Sequence, residues 1–275
     1  MSTLSGLISA GGGSTSFPVI FLSKSQTFVP PQDGNVCIHV IGAGGSGSGS
    51  NSKTVAGGGG AGGYCKKNSL AVTTSSSFTV VIGAGHVPTA GHSAGGDGGN
   101  STVAGTGLSS TLTANGGSGC SLTTSGTGAG GTAANGDVNN TGGAGQAKYG
   151  GGAVGLTGTG NQGFVHINSS EGTYLGFGGA CDVLGDLWSS SLGQIAGGLP
   201  GKGMHSNLTL LDTASANAGP LSGGGTVALG GQFTYHAGGA ATIGGGGGGC
   251  SHTQGTYGAI GGRGGDGLVI FQYIP

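Results

Sequence analysis

At 275 residues the chain is long enough for one large or two small domains. Glycine supplies 74 of those residues, about four times the usual share, while 5% are charged and the formal net charge is −1. Such values exclude electrostatic binding to nucleic acid or to anionic lipid, which needs clustered Lys and Arg. The basic residues are scattered, and only Lys66 and Lys67 adjoin.

A glycine-rich chain of this kind is usually a flexible linker. Here Ile, Val, Leu and Phe recur in short runs, and the charge is too low to keep a disordered chain solvated. Those runs must be buried and the glycine backbone satisfied. No strict Gly-X-Y period persists, so collagen is excluded. Five cysteines, Cys37, Cys65, Cys120, Cys181 and Cys250, stand far apart without a Cys-x-x-Cys pair. They read as buried reduced thiols acting as small apolar residues, and neither a zinc site nor a disulfide framework is expected. Met1 to Ser5 lacks the basic segment of a signal peptide. No apolar run approaches the roughly 20 residues of a membrane span.

In chain order, residues 1–16 are a Ser, Thr and Gly segment read as a flexible arm or attachment piece. Phe17 to Leu22 reads as a strand, with Pro18 suited to an edge. Ser25 to Val29 stops on Pro30-Pro31, and Gln32-Asp33-Gly34-Asn35 is turn chemistry. Val36 to Ile41 is strongly β-prone and flows into Gly42-Ala43-Gly44-Gly45. Further strands are expected at Ser69–Val72 and Ser77–Ile82, with Thr102-Val103 and Leu112–Ala114 continuing them. From about Gly116 glycine tracts alternate with polar connectors such as 135–140. A helix is hard to place there, since Gly costs about 1 kcal/mol per position against Ala. Residues 161–196 and 204–222 are poorer in glycine, and Leu268 to Tyr273 is a closing strand. The expected division is a β base at 17–115 plus 268–275, and a glycine region at 116–267.

Two enzyme motifs occur by spelling alone. Gly42-Ala43-Gly44-Gly45-Ser46-Gly47 matches the dinucleotide-binding turn, but Ser48-Gly49-Ser50-Asn51 is a poor start for the helix that would hold a pyrophosphate. No acid follows at ribose distance. Gly91-His92-Ser93-Ala94-Gly95 matches a nucleophile elbow, yet the helix that lifts the serine is missing. The histidines show no metal-ligand spacing. No enzyme activity, cofactor or metal is expected.

What folded glycine can do is pack backbone. In the polyproline-II conformation the chain makes three residues per turn with its N–H and C=O groups free, so adjacent strands can bond to one another. Phe28-Val29-Pro30, the strand Val36 to Ile41 and the tract Gly42–Gly45 open a series of landmarks. It continues through Gly57–Tyr64, Phe78-Thr79-Val80-Val81-Ile82-Gly83-Ala84-Gly85, and Gly95-Gly96-Asp97-Gly98-Gly99-Asn100-Ser101. It closes on Gly261-Gly262-Arg263-Gly264-Gly265-Asp266-Gly267 before Leu268-Val269-Ile270. Over residues 17–275 this series resembles the glycine-rich domain of bacteriophage tail fibre and virion proteins. The resemblance implies an all-β fold, an antiparallel β-sandwich-like base with packed polyglycine-II helices and essentially no α-helix, as in T-even-like tail fibre adhesins. It implies a single domain at 17–275 in a non-enzymatic tail fibre or tail-tip adhesin, made in the host cytoplasm and carried on the virion tail. Expected partners are other virion proteins and a host-surface glycan or outer-membrane protein. A homo-oligomer is expected, a trimer by analogy with fibre ends. Phe164, Tyr174, Phe177, Trp188, Tyr235 and His236 are the candidate receptor contacts, against the plainer reading that they pack internally. The alternative is a purely structural collar, decoration or shaft subunit.

Overall fold

The structure, a computed structural model, describes residues 17–49, 56–89, 93–122, 126–145, 243–247 and 260–275, together with the backbone of short strands at 164–168, 173–177, 235–236 and 251–252. The strands in chain order are β1 (Val19–Leu22), β2 (Gln26–Phe28), β3 (Gly34–Ile41), β4 (Tyr64–Val72) and β5 (Phe78–Val81). They continue with β6 (Ser101–Gly105), β7 (Leu112–Ala114), β8 (Ala133–Ala134), β9 (Val138–Asn140), β10 (Phe164–Asn168) and β11 (Thr173–Phe177). The last three are β12 (Tyr235–His236), β13 (Ser251–His252) and β14 (Leu268–Ile274). The fold is all-β, with no helix among the described residues. Two five-stranded antiparallel sheets form the base, in the orders β1-β14-β3-β4-β9 and β2-β5-β6-β7-β8.

Alternation at period two builds the core between the sheets. Val36, Ile38 and Val40 of β3 and Val269, Phe271 and Tyr273 of β14 meet Phe78, Val80, Val103 and Leu112 of the second sheet. Phe271 is the centre, its ring 4.4 Å from Phe28 and 5.4 Å from Phe78. The second sheet has a solvated outer face: Thr79 and Val81 are exposed where Phe78 and Val80 are buried. The first sheet is covered on its outer face only at the end next to the glycine tracts, and Val19, Phe21 and Gln272 stay exposed on that face. Ile41, Tyr64, Leu268 and Ile270 form a second buried cluster on its far side with Val138 and Ile243. This explains why β3 reads as a continuous apolar run.

The polar stretch 135–140, expected as a connector, instead carries β9 and crosses from one sheet to the other. Asn135 adopts φ 67° before Gly136, a conformation that Asn tolerates better than most residues. Asp137 then clasps β4 at an irregularity: the pairing slips between Val36 and Ile38, and the Asn68 amide donates to Asp137 Oδ2 at 2.8 Å. Lys67 Nζ reaches Asp137 Oδ1 at 2.8 Å.

Beyond the sandwich the strands run on as glycine tracts, so strands and tracts interleave along the chain instead of occupying successive stretches. In 42–49 the amides donate in strict rotation. Gly42, Gly45 and Ser48 donate to the carbonyls of Gly63, Gly60 and Gly57; Ala43, Ser46 and Gly49 to Gly99, Gly96 and Ser93; Gly44 and Gly47 to Gly265 and Gly262. This is the three-residue turn of polyglycine II, each direction served by a different neighbour. Carbonyls of the same tract accept from Gly117 and Cys120, from His86, and from Gly247. Tract 42–49 therefore sits inside six others: 57–63, 93–99 and 260–267 accept from it, while 116–120, 83–86 and 243–247 donate to it. Residues 42–49 are all buried. Tracts 128–131 and 142–145 pack in a further row, through Gly131 N to Ala61 O and Ala61 N to Gly143 O.

The strand register passes unbroken into this lattice. Ile41 pairs with Tyr64 and with Leu268. Counting outward by equal steps on both chains reaches the bonds Gly42–Gly63, Gly45–Gly60, Gly44–Gly265 and Gly47–Gly262. What changes is the period. A strand bonds alternately to two neighbours; the threefold tract has a third donor direction, and that one reaches 93–99, the extension of β6 in the other sheet. The lattice thus ties the two sheets together.

Glycine serves here by lacking a Cβ. Among the described tract glycines only Gly244 has a left-handed φ, 70°. A Cβ at Gly44 would overlap the carbonyl of Gly245, and one at Gly62 the carbonyl of Gly42. Backbone on both sides leaves nothing to move aside. Gly44→Ala is expected to destabilise by at least about 3 kcal/mol, against about 1 kcal/mol for the reverse change Ala43→Gly next door. Urea unfolding followed by circular dichroism checks this, and equal costs at the two sites would contradict close backbone packing.

Candidate functional site

Three excursions from the sandwich run from β3 to β4, from β5 to β6 and from β7 to β8. Between β9 and β14 the described tracts are 142–145 and 243–247, both running outward, and 260–267 running back, with Ile243 at the base beside Ile41 and Leu268. Tracts 42–49, 83–89 and 115–122 run outward from strands while 57–63, 93–100 and 126–132 run back into them, so among the described residues the turning points gather at the end of the lattice away from the base. That end includes Gly49, Gly57, Thr89, Ser93, Leu122 and Ile260. Walls of the lattice offer little chemistry, since glycine has no side chain. Three exposed large apolar groups lie on the lattice, Leu122 (45%) and Ile260 (39%) at its far end and Val87 (63%) close to it, while Phe17, Val19, Phe21, Val29 and Val81 are exposed on the base. Arg263 Nη2 pairs with Asp266 Oδ1 at 2.7 Å one turn nearer the base than Ile260. Connectors 50–55, 90–92 and 123–125 lie outside the described residues.

Side-chain oxygens stand in where a carbonyl partner is missing. Asp266 Oδ1 accepts from Gly85 N at 2.8 Å, Asp97 Oδ1 from Gly119 N at 2.8 Å, Asn100 Oδ1 from Gly116 N at 2.9 Å and Ser101 Oγ from Gly83 N at 3.0 Å. These acids and amides hold tracts together. Among the described residues no three His, Cys, Asp or Glu side chains converge as metal ligands.

The first enzyme-like spelling falls inside the lattice, and so do residues 93–95 of the second, whose Gly91 and His92 lie outside the described residues. Every amide from Gly42 to Gly49 already donates to a carbonyl, so none is free to cradle a phosphate. Ser93 donates its hydroxyl to Thr89 O at 3.1 Å and its carbonyl accepts from Gly49. A serine–histidine pair does occur, Ser46 Oγ to His86 Nδ1 at 2.9 Å. Ser46 is fully buried and accepts from Gly96 N at 3.0 Å, which fits a strut between tracts and denies a substrate access.

Five of the six candidate contacts lie in two short hairpins of the stretch between β9 and β14. Phe164 and Phe177 are direct partners across β10 and β11, and Tyr174 pairs with Ile167. Tyr235 and His236 of β12 pair with His252 and Ser251. Phe164, Tyr174 and Phe177 thus share one hairpin, and Tyr235 and His236 another. Trp188 lies outside the described residues, as do Cys181 and Cys250.

One cluster escaped the sequence. On the far side of the first sheet His39 Nδ1 meets Tyr64 Oη at 2.7 Å, while its Nε2 lies 3.3 Å from Gln272 Oε1 and 3.3 Å from Cys37 Sγ. A neutral ring protonated on Nε2 satisfies both oxygen partners. Cys37 and His39 are two apart in β3 and so share a face, a signal visible only once the strand's buried second face is known. Burial pushes the imidazole down and the Cys37 thiol up, with nearby Lys66 adding to the first effect and opposing the second. Both groups are held neutral, so this is no thiolate–imidazolium nucleophile. Cys37, Cys65 and Cys120 are all buried free thiols.

The titration has a consequence for stability. Because His39 is harder to protonate when folded, the unfolded chain binds the proton first. Stability therefore falls as pH drops below the unfolded value of about 6.5 toward the lowered native one, at up to about 1.4 kcal/mol per pH unit for one proton. His39→Gln is expected to remove that one-proton share of the acid-side slope in urea unfolding between neutral and acidic pH. An unchanged slope would contradict the assignment.

Residues 22–274 match the glycine-rich domain family, and the chain belongs to that family. No curated protein matches it.

Proposed function

We propose that this member of the glycine-rich domain family is a non-enzymatic bacteriophage virion protein, a tail fibre or tail-tip adhesin that takes part in host-surface recognition. One observation supports the reading above others: among the described residues a lattice poor in side chains carries its turning points to one end, away from the base. Backbone bonded in every direction gives stiffness, and chemistry is left to the connectors. An adhesin needs that division, a stiff stalk with variable tips. The ligand would be a host glycan or an outer-membrane protein, met by aromatic stacking and short polar contacts. The protein would travel on the tail among other virion proteins after synthesis in the host cytoplasm.

Phe164, Tyr174, Phe177, Trp188, Tyr235 and His236 belong to the stretch of sequence between 145 and 260, which holds the chain's single Trp. We assign them, with Val87, Leu122 and Ile260, as the contact set. A purely structural virion role has one observation of its own in its favour, the bare walls of the lattice, which suit side-by-side packing of many copies.

Binding of isolated protein to host cells tests the assignment in two arms. Tyr174→Ala with Trp188→Ala is expected to lower binding at least about tenfold, and so is the triple change of Val87, Leu122 and Ile260 to Ser. Thermal unfolding of the triple variant should stay close to that of the parent, because those side chains are exposed. Unchanged binding in both arms removes the site. Immunogold labelling of particles separates the two roles: label at the tail tip supports adhesion, and label along a shaft or shell supports a scaffold.

A further inference from the structure

We propose that β1 is a docking edge at which a second copy of this chain adds its own β1, antiparallel, about a twofold axis through paired Val19 residues. The proposal does not depend on the adhesin reading. Among the described residues β1 is the outermost strand of the first sheet, paired on one side only, with β14. The phase of that pairing is fixed by Tyr273 N, which donates to Pro18 O at 3.0 Å. Antiparallel partners alternate between bonded and non-bonded pairs. Residues 18, 20 and 22 therefore turn their backbone groups toward β14, and 17, 19 and 21 turn theirs outward. The amide that Pro18 lacks falls on the inner side, so the outward row of donors and acceptors at Phe17, Val19 and Phe21 is complete.

The side chains of the same three residues are exposed by 43%, 41% and 57%, while Leu22 is buried. Edge strands are normally blunted by charge, by an outward-facing proline or by a bulge. None of these devices interrupts 17–23, and the nearest charge is Lys24. A second β1 is the occupant this edge fits because the strand complements itself. With Val19 opposite Val19, Phe17 of each copy lies opposite Phe21 of the other, which gives two cross-strand aromatic pairs. The three outward pairs exchange up to about six backbone hydrogen bonds, two per bonded pair. The two Lys24 side chains fall at opposite ends of the ladder. The contact is isologous and closes after two copies, joining two five-stranded sheets into one.

Sedimentation velocity on the full chain from about 1 to 100 µM, the range suited to a small interface, is expected to show a monomer–dimer equilibrium. Val19→Lys and Phe21→Lys each weaken it at least about tenfold without lowering the melting temperature. Val19→Cys is expected to form a disulfide-linked dimer through residue 19 on mild oxidation, because bonded antiparallel partners stand about 5.5 Å apart at Cα, within disulfide reach. Phe21→Cys, which faces Phe17, should not link to itself. A monomer at every concentration, a trimer, or dimers that survive both Lys substitutions would overturn the proposal. So would linkage through Phe21→Cys in place of Val19→Cys.

Discussion

Backbone amide-to-carbonyl bonds between glycine tracts are the interaction on which this molecule depends. A polyglycine-II strand has no internal hydrogen bonds, so a single tract is no more stable than unfolded chain. It becomes stable only when its three donor directions and three acceptor directions all meet neighbours. For tract 42–49 they do, in bonds of 2.8–3.1 Å from its eight amides. Ordering glycine costs more conformational entropy than ordering any other residue. The number of bonds gathered around each tract offsets that loss, and so the tracts must form together.

The sandwich supplies the phase that makes the assembly possible. The pairings Ile41–Tyr64, Ile41–Leu268 and Ser101–Ala114 set which carbonyl faces which amide many residues further out. Gly98 N to Gly117 O and Gly95 N to Cys120 O lie at the same offset as the last of these. A slip of one residue in a strand would misplace every bond beyond it. The apolar core around Phe271 and the glycine lattice are therefore parts of one cooperative structure, and the lattice returns the support by bonding across from β3's extension to that of β6.

Concentrating structure in the backbone determines where side chains can act. Inside the lattice a side chain is admitted where it completes the bonding, as Ser46 and Ser101 do for Gly96 and Gly83. At the base, buried His39, Tyr64 and Cys37 satisfy one another on the far side of the first sheet, with the exposed Gln272 at the edge of the cluster, which is how burial of such groups avoids its usual penalty. Chemistry directed outward is left to the turning points and to the sandwich edge.

The sequence by itself determined the fold class and most of the base. Val36–Ile41, Phe78–Val81 and Leu268–Tyr273 announce strands through β-branched and aromatic runs, and tracts such as 57–63 exclude helix. It also spelled a dinucleotide-like turn without the helix such a turn needs after Gly47. Only the tertiary structure decided what those glycines are for. Whether a glycine is needed at Gly44 depends on the carbonyl of Gly245, some two hundred residues away, and no local pattern carries that distance. The same holds for residues 135–140: their polar spelling reads as a connector, and their place as a strand comes from Asp137 meeting Lys67 and the Asn68 amide. His39 and Cys37 looked like ordinary strand residues until the second face of β3 proved to be covered. Local composition encodes backbone preference, whereas hydrogen-bond partners between tracts are set by register across the whole chain.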